Sequence, residues 1–235
     1  MKVYSAAEYP QLSEAWFKLR AGVPTASQFG RIVTPKTGKL SASADDYICS
    51  LIAELHHPGP YADIQVPCSK AMLHGTECEP EARAWYAMER GLAVEEVGFV
   101  TTDDGRFGCS PDGLLTCTVC GNDWALVENG EIRPLGCADC KGAGFKGGLE
   151  LKCPQRKTQV AYLLDGTLPS EYRAQVHGSL IVSGLPYWDF LSYCPGFDPL
   201  LLRVTPDAFT DYLRDALEKF WVRYQELKAK IGGAK

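Results

Sequence analysis

No stretch of the 235-residue chain approaches the roughly 18 uncharged apolar residues that a membrane-spanning helix requires, so no membrane partner is expected. The N-terminal residues lack an apolar block as well. Lys2, Glu8, Glu14, Lys18 and Arg20 interrupt them, and a secretory signal is not expected. No internal repeat is visible. With 46% apolar and 23% charged residues the chain can form a substantial core, which argues against wholesale disorder. These features predict a soluble, cytoplasmic protein with one domain over residues 1–235, carrying an insertion at 115–147.

Acidic residues are missing from one long segment. Between Ala15 and Ala44 there is none, while Lys18, Arg20, Arg31, Lys36 and Lys39 fall there. A second basic cluster, Lys141, Lys146, Lys152, Arg156 and Lys157, contains only Glu150 as an acid. The net charge is −5, so bulk charge does not make this a nucleic-acid coat, and the rest of the chain is strongly acidic. Two basic patches on an acidic body suit a phosphate-bearing ligand held in a groove; two solvated loops would look the same at this level.

Ten cysteines without a secretory signal point to metal binding or burial rather than a disulfide scaffold. Four form Cys117-x2-Cys120 and Cys137-x2-Cys140, with 16 residues between the pairs. This is two-knuckle zinc spacing, each pair giving two thiolates to a tetrahedral ion. The alternatives are reduced thiols in a loop or an iron–sulfur cluster, though the paired spacing matches neither common cluster arrangement. Four thiolates leave no open position, so the Zn²⁺ would be structural. Cys49, Cys68, Cys78 and Cys194 lack ligand spacing and are expected to be buried thiols.

Periodicity and turn signals predict helices over Ser13–Arg20, Ala44–His56, Glu79–Arg90, Thr158–Leu164 and Ser170–Ser183, and a last helix capped by Thr205. Strands are predicted over Val94–Thr102, Arg106–Cys109, Asp112–Thr116, Gly148–Cys153, Trp188–Tyr193 and Leu200–Val204. Thr25-Ala26-Ser27 reads as a turn. The resulting class is α/β (α+β), a central mixed sheet flanked by helices with a zinc-ribbon hairpin between two core strands.

Chemistry concentrates where two of those strands begin and end. Asp112 stands at a strand start beside a turn. On the next strand Glu150 and Lys152 share one face, because strand side chains alternate, while Leu151 points into the core. Two carboxylates and the Leu151 carbonyl form a hard oxygen site of the kind Mg²⁺ or Mn²⁺ prefers, and Glu79 would add a third carboxylate. Lys152 could orient or help deprotonate a water, and such metal sites serve phosphodiester hydrolysis. Solvated strand ends would carry the same residues. His74 and His177 read as structural, as does the helix-end His56-His57 pair, and Trp16, Trp85, Trp188 and Trp221 as core.

The run Gly148-Leu149-Glu150-Leu151-Lys152-Cys153-Pro154 resembles the active-site strand of the phage lambda exonuclease family, the YqaJ-like viral recombinases, within the PD-(D/E)xK nucleases. Further segments are similar to the family's in the same order. They are Trp16-Phe17-Lys18-Leu19-Arg20-Ala21-Gly22 with Thr25-Ala26-Ser27, Glu79-Pro80-Glu81-Ala82-Arg83, Cys109-Ser110-Pro111-Asp112-Gly113 and Tyr172-Arg173-Ala174-Gln175-Val176. Together they cover about Trp16 to Val182.

The resemblance implies a restriction-endonuclease-like PD-(D/E)xK core and a Mg²⁺-dependent 5′→3′ exonuclease on linear double-stranded DNA. Its products would be 5′-mononucleotides and 3′ single-stranded tails for a single-strand annealing protein. Asp112, Glu150, the Leu151 carbonyl and Glu79 would hold the metal, and Lys152 would position the attacking water. Gln175 would support that water or the scissile phosphate, with Tyr172 and Ser179 on its helical face. Arg20, Ser27 and Ser110 would hold the 5′ phosphate or the phosphate beside the cut. A ring-shaped trimer, and a phage or prophage origin placing the enzyme in a bacterial cytoplasm, are implied in the same way. The four-cysteine insertion, Cys117, Cys120, Cys137 and Cys140, departs from the family pattern. A structure-specific or restriction-like endonuclease with the same metal site, and a non-catalytic zinc-containing DNA-end binder, are the alternative readings.

Overall fold

The computed structural model describes residues 1–34, 41–56, 70–119, 124–126, 132–134 and 144–232. Ten strands and six α-helices occur among them: β1 (Lys2–Ser5), α1 (Glu14–Arg20), α2 (Ala44–His56), α3 (Lys70–Arg90), β2 (Val94–Glu95), β3 (Val97–Thr101), β4 (Gly108–Cys109), β5 (Gly113–Thr116), β6 (Trp124–Leu126), β7 (Ile132–Pro134), β8 (Phe145–Lys152), α4 (Arg156–Asp165), α5 (Ser170–Ser183), β9 (Trp188–Ser192), β10 (Leu200–Val204) and α6 (Ala208–Lys230). A short 3-10 helix, Ala26–Arg31, follows α1.

The central sheet has the order β10-β9-β8-β5-β2 and is mixed. β8 and β9 run parallel, with Glu150 opposite Phe190, and the other pairs are antiparallel. The parallel pair needs a crossover, which α4 and α5 supply. Each crossover helix stops at a left-handed glycine, Gly166 (φ 64°) and Gly184 (φ 67°), whose N–H caps the last turn. A smaller sheet, β1-β3-β4, lies beside it, and β6 pairs with β7 inside the inserted segment.

Strand alternation divides the apolar residues between two faces. One face packs Leu114, Trp188 and Phe190 against Phe29 of the 3-10 helix, Leu180 of α5, Leu51 of α2 and Phe220 of α6. The other packs Leu115, Leu149, Leu151 and Leu191 against Ala82 and Tyr86 of α3. Leu151 therefore faces the core, as its place in the strand pattern predicts.

The structure corrects several expectations. The helix expected to open at Glu79 starts at Lys70 and runs through Pro80, which has no N–H to donate and leaves one carbonyl of the preceding turn without its helical partner. The single strand expected over Val94–Thr102 is divided at Glu96: β2 joins the central sheet and β3 the smaller one. The Thr25–Ser27 turn is the entry to the 3-10 helix. The last helix is capped by Asp207, not Thr205. Its carboxylate accepts from Phe209 and Thr210 N–H (2.8 and 3.1 Å) while Thr210 Oγ1 accepts from Asp207 N–H (2.9 Å), a reciprocal cap that Thr205 cannot form. Cys49 is exposed rather than buried, whereas Cys78, Cys109, Cys153 and Cys194 are buried. Cys68, His57 and the side chain of His74 lie outside the described residues.

Candidate active site

The site forms where β8 passes the start of β5. Asp112 N–H donates to Leu149 O (3.1 Å), and Leu151 N–H donates back to Asp112 Oδ2 (2.6 Å), so main chain fixes the aspartate against the glutamate strand. On that strand Glu150 is 2% exposed and Lys152 25%. Lys152 Nζ and Gln175 Nε2 both donate to Glu150 Oε1, each at 2.5 Å. The Lys152 ammonium also lies over the Tyr172 ring, 5.0 Å from its centre, and Tyr172 packs at a tilt of 31° against Phe190 of β9.

Charge is concentrated here at unusual cost. Burial pushes the Glu150 carboxyl up to about 7, Lys152 opposes, and the Asp112 and Glu79 carboxylates add to the rise. Asp112 is raised by burial despite Lys152 and the Leu151 N–H. Glu79 is raised by burial and by Asp112. Burial would lower Lys152, but attraction to Glu150 and Asp112 outweighs it and holds the ammonium charged. The Asp112 and Glu150 carboxylates, balanced by one lysine and with Glu79 adding negative charge, are hard oxygen donors of the kind a divalent cation prefers. Among the described contacts, Asp112 and Glu150 each leave one carboxylate oxygen uncommitted. No group of three or more His, Cys, Asp or Glu side chains is gathered for a metal among the described residues, so Glu79 joins the Asp112–Glu150 pair through charge rather than as a third member of a closed cluster.

A second polar group forms where the segment after α1 meets β4. Gly108 N–H donates to Pro24 O (3.0 Å) and Thr25 bridges to Gly108, which brings the segment after α1 to the strand leading into Ser110 and Asp112. Arg20 lies over the Trp16 ring at 3.9 Å, and its Nη2 donates to Thr25 Oγ1 (3.3 Å), which stands 3.4 Å from Ser27 Oγ. Trp16 is fixed in turn by its ring N–H on Gly98 O (2.9 Å). Arg20 Nε and Ser110 Oγ are buried without a hydrogen-bond partner. A bound phosphate would give these two donors the partner they lack.

Of the residues singled out in the sequence, Glu150, Lys152 and Gln175 meet in one hydrogen-bonded group, Asp112 is tied to it through the Leu151 N–H, and Glu79 is coupled by charge. Arg20 and Ser27 meet through Thr25, a residue that stood in a quoted segment without an assigned part. Ser179 hydrogen-bonds the buried Cys109 thiol, so it supports the wall rather than the cleft. His177 is buried, with Nδ1 2.8 Å from Thr210 Oγ1, in keeping with a structural part. Cys117 is buried at the base of the insertion, where its N–H donates to Gly144 O (2.9 Å). Cys120, Cys137 and Cys140 lie outside the described residues.

Comparison with solved structures gives the same architecture. The chain is similar to the alkaline exonuclease of Laribacter hongkongensis, at 26% identity and a TM-score of 0.65 over 94% of this chain and 98% of that one. The same exonuclease in complex with dAMP matches at 26% identity, a TM-score of 0.64 and the same coverage. A phage-related exonuclease of Haemophilus somnus 129PT shares the fold at 11% identity and a TM-score of 0.54, over 89% of this chain and 96% of that one. No curated protein sequence matches the chain. Fold and site thus define a nuclease of the exonuclease type. The model of the YqaJ-like viral recombinase domain matches residues 15–186, and the chain belongs to that family.

Proposed function

We propose that this DNA exonuclease is a Mg²⁺-dependent enzyme acting 5′→3′ on linear double-stranded DNA. It releases 5′-mononucleotides and leaves 3′ single-stranded tails for a single-strand annealing protein. The observation that supports the reading is a pair of polar groups linked through the Pro24–Thr25 contacts with Gly108: the Asp112, Glu150, Lys152 and Gln175 side chains, and the Arg20–Thr25–Ser27 group with open donors at Arg20 Nε and Ser110 Oγ. A terminal phosphate needs a cradle of its own, and Arg20 with Ser27 supports an enzyme that starts from an end.

Asp112, Glu150 and the Leu151 carbonyl would hold Mg²⁺ or Mn²⁺, with Glu79 completing the charge. The bound cation would stabilise charge on the scissile phosphate and lower the pKa of the attacking water. Lys152, kept protonated by Glu150 and Asp112, acts as a donor: it orients the water and offsets the charge that builds on the phosphate. Gln175 Nε2 holds Glu150 in place, and its carbonyl is free to accept from the water. Arg20, Ser27 and Ser110 bind the terminal phosphate, and their open donors gain the partners they lack. The Cys117, Cys120, Cys137 and Cys140 thiolates would hold a structural Zn²⁺ at residues 115–147. A ring of three copies would keep the enzyme on its DNA.

The test pairs a linear duplex bearing labelled 5′ phosphates with a covalently closed circle, both with Mg²⁺. Mononucleotides released from the 5′ end and an intact circle are expected. Cutting of the circle would replace the exonuclease with an endonuclease. Inertness toward both, also with Mn²⁺, would leave a DNA-end binder.

A further inference from the structure

Arg83 sits on α3 one turn beyond Glu79, yet its side chain serves the turn that carries Asp112. Its Nε donates to the Asp112 main-chain oxygen (3.1 Å), and its Nη1 pairs with Glu96 Oε1 (3.2 Å). The guanidinium is 18% exposed and the Glu96 carboxylate 63%, so the inner end works inside the site and the outer end is tied to the break between β2 and β3. Neutral groups hold the rest of the turn: Gln11 Nε2 donates to Pro111 O (3.2 Å), and Asp112 N–H to Leu149 O (3.1 Å). Arg83 also attracts the Glu79 and Asp112 carboxylates themselves. It is the link between the helix of one acidic residue and the turn of the other.

We infer that Arg83 is a positioning residue for the divalent-metal site, tying the Asp112 turn to the Glu79 helix so that the distance between them is set before the cation arrives. The inference rests on the function proposed above. A guanidinium offers two donors in a fixed fork, one for the carbonyl and one for the carboxylate; a lysine ammonium keeps the charge but loses the fork. Positive charge as such repels a metal ion, so charge alone would make Arg83 a hindrance. Geometry gives it a use, because residues that hold metal ligands in place are typically worth about 10–100-fold in metal affinity.

Mn²⁺ binding by the full chain without DNA, measured by titration calorimetry, tests this for the wild type, Arg83→Lys and Glu96→Gln. Affinity is expected to fall about tenfold or more in Arg83→Lys although its charge is kept, and about two- to fivefold in Glu96→Gln. Affinity for a DNA end in EDTA should stay at the wild-type level in both. Wild-type Mn²⁺ affinity in Arg83→Lys overturns the inference. If that variant does not fold, wild-type affinity in Glu96→Gln overturns it. A wild-type chain that binds no Mn²⁺ brings down the proposed function and this inference together, whereas unchanged variants of a Mn²⁺-binding wild type bring down this inference alone.

Discussion

Glu150 bears the sharpest conflict between burial and charge. Its folded pKa is raised to about 7 from an ordinary 4.5, so the stability it contributes is full below 4.5 and lost as pH rises through about 7. In EDTA, the wild type should therefore lose stability as pH rises between 4.5 and about 7, and that slope should flatten in Glu150→Gln, measured by thermal unfolding across the range. The same slope in wild type and variant would contradict the electrostatics described here. Cleavage in Glu150→Gln should fall by about 10³-fold with DNA binding kept. Arg20→Gln should act differently. Losing a charged donor to phosphate costs about 1.5–3 kcal/mol, which should erase most of the preference for 5′-phosphorylated over 5′-hydroxyl ends. Equal discrimination by wild type and variant in a competition assay would remove Arg20 from the phosphate site.

At the level of elements, α5 carries Gln175 to Glu150 and packs against the 3-10 helix that holds Ser27. Gly178 faces the 3-10 helix so closely that an added Cβ would lie 2.4 Å from Phe29 Cδ2 and 3.2 Å from Ala26 Cβ. Gly178→Ala should cost about 1–3 kcal/mol in denaturant unfolding and should displace Ser27, weakening the binding of 5′-phosphate ends. On the opposite side α5 meets α6 at His177, which is 3% exposed and held neutral by burial, against the attraction of Asp207. Its folded pKa lies below the ordinary 6.5. The unfolded chain therefore takes up a proton that the folded chain refuses, and stability falls as pH drops through 6.5. The slope should flatten in His177→Gln, measured by thermal unfolding across that range; an unchanged slope would rule His177 out as its source.

At the scale of the whole molecule, the insertion between β5 and β8 separates Asp112 from Glu150 in sequence without separating them in space. Leu114 pairs with Gly148 and Gly113 with Leu149 below it. Metal analysis of the purified chain should find about one Zn²⁺ per copy, as a four-thiolate site holds a single ion, and Cys117→Ser should lower that content. Zinc-free protein, or unchanged zinc in the variant, would make the cysteines a reduced loop. No helix of the described residues is long and apolar enough to cross a membrane.

Much of this protein could be read from local patterns. The limits of α2 and α5, the glycine stops at 166 and 184, and the facing of Glu150 and Lys152 against Leu151 follow from side-chain period and capping, which depend on near neighbours in the chain. Other features rest on contacts between segments remote in sequence. α3 continues through Pro80 despite the lost N–H, and β2 and β3 part into two sheets at Glu96; the choice of Asp207 over Thr205 as cap is by contrast local, its carboxylate serving the N–H groups of Phe209 and Thr210. The site divides the same way. Residue type and spacing marked Asp112, Glu150 and Lys152 as an acidic group with a lysine. Tertiary packing alone buried them enough to raise Glu150, brought Gln175 onto its oxygen, joined Arg20 to Ser27 through Thr25, and turned Arg83 from its own helix to the Asp112 carbonyl. Desolvation and hydrogen-bond geometry belong to the folded chain, and no arrangement of residues along a line contains them.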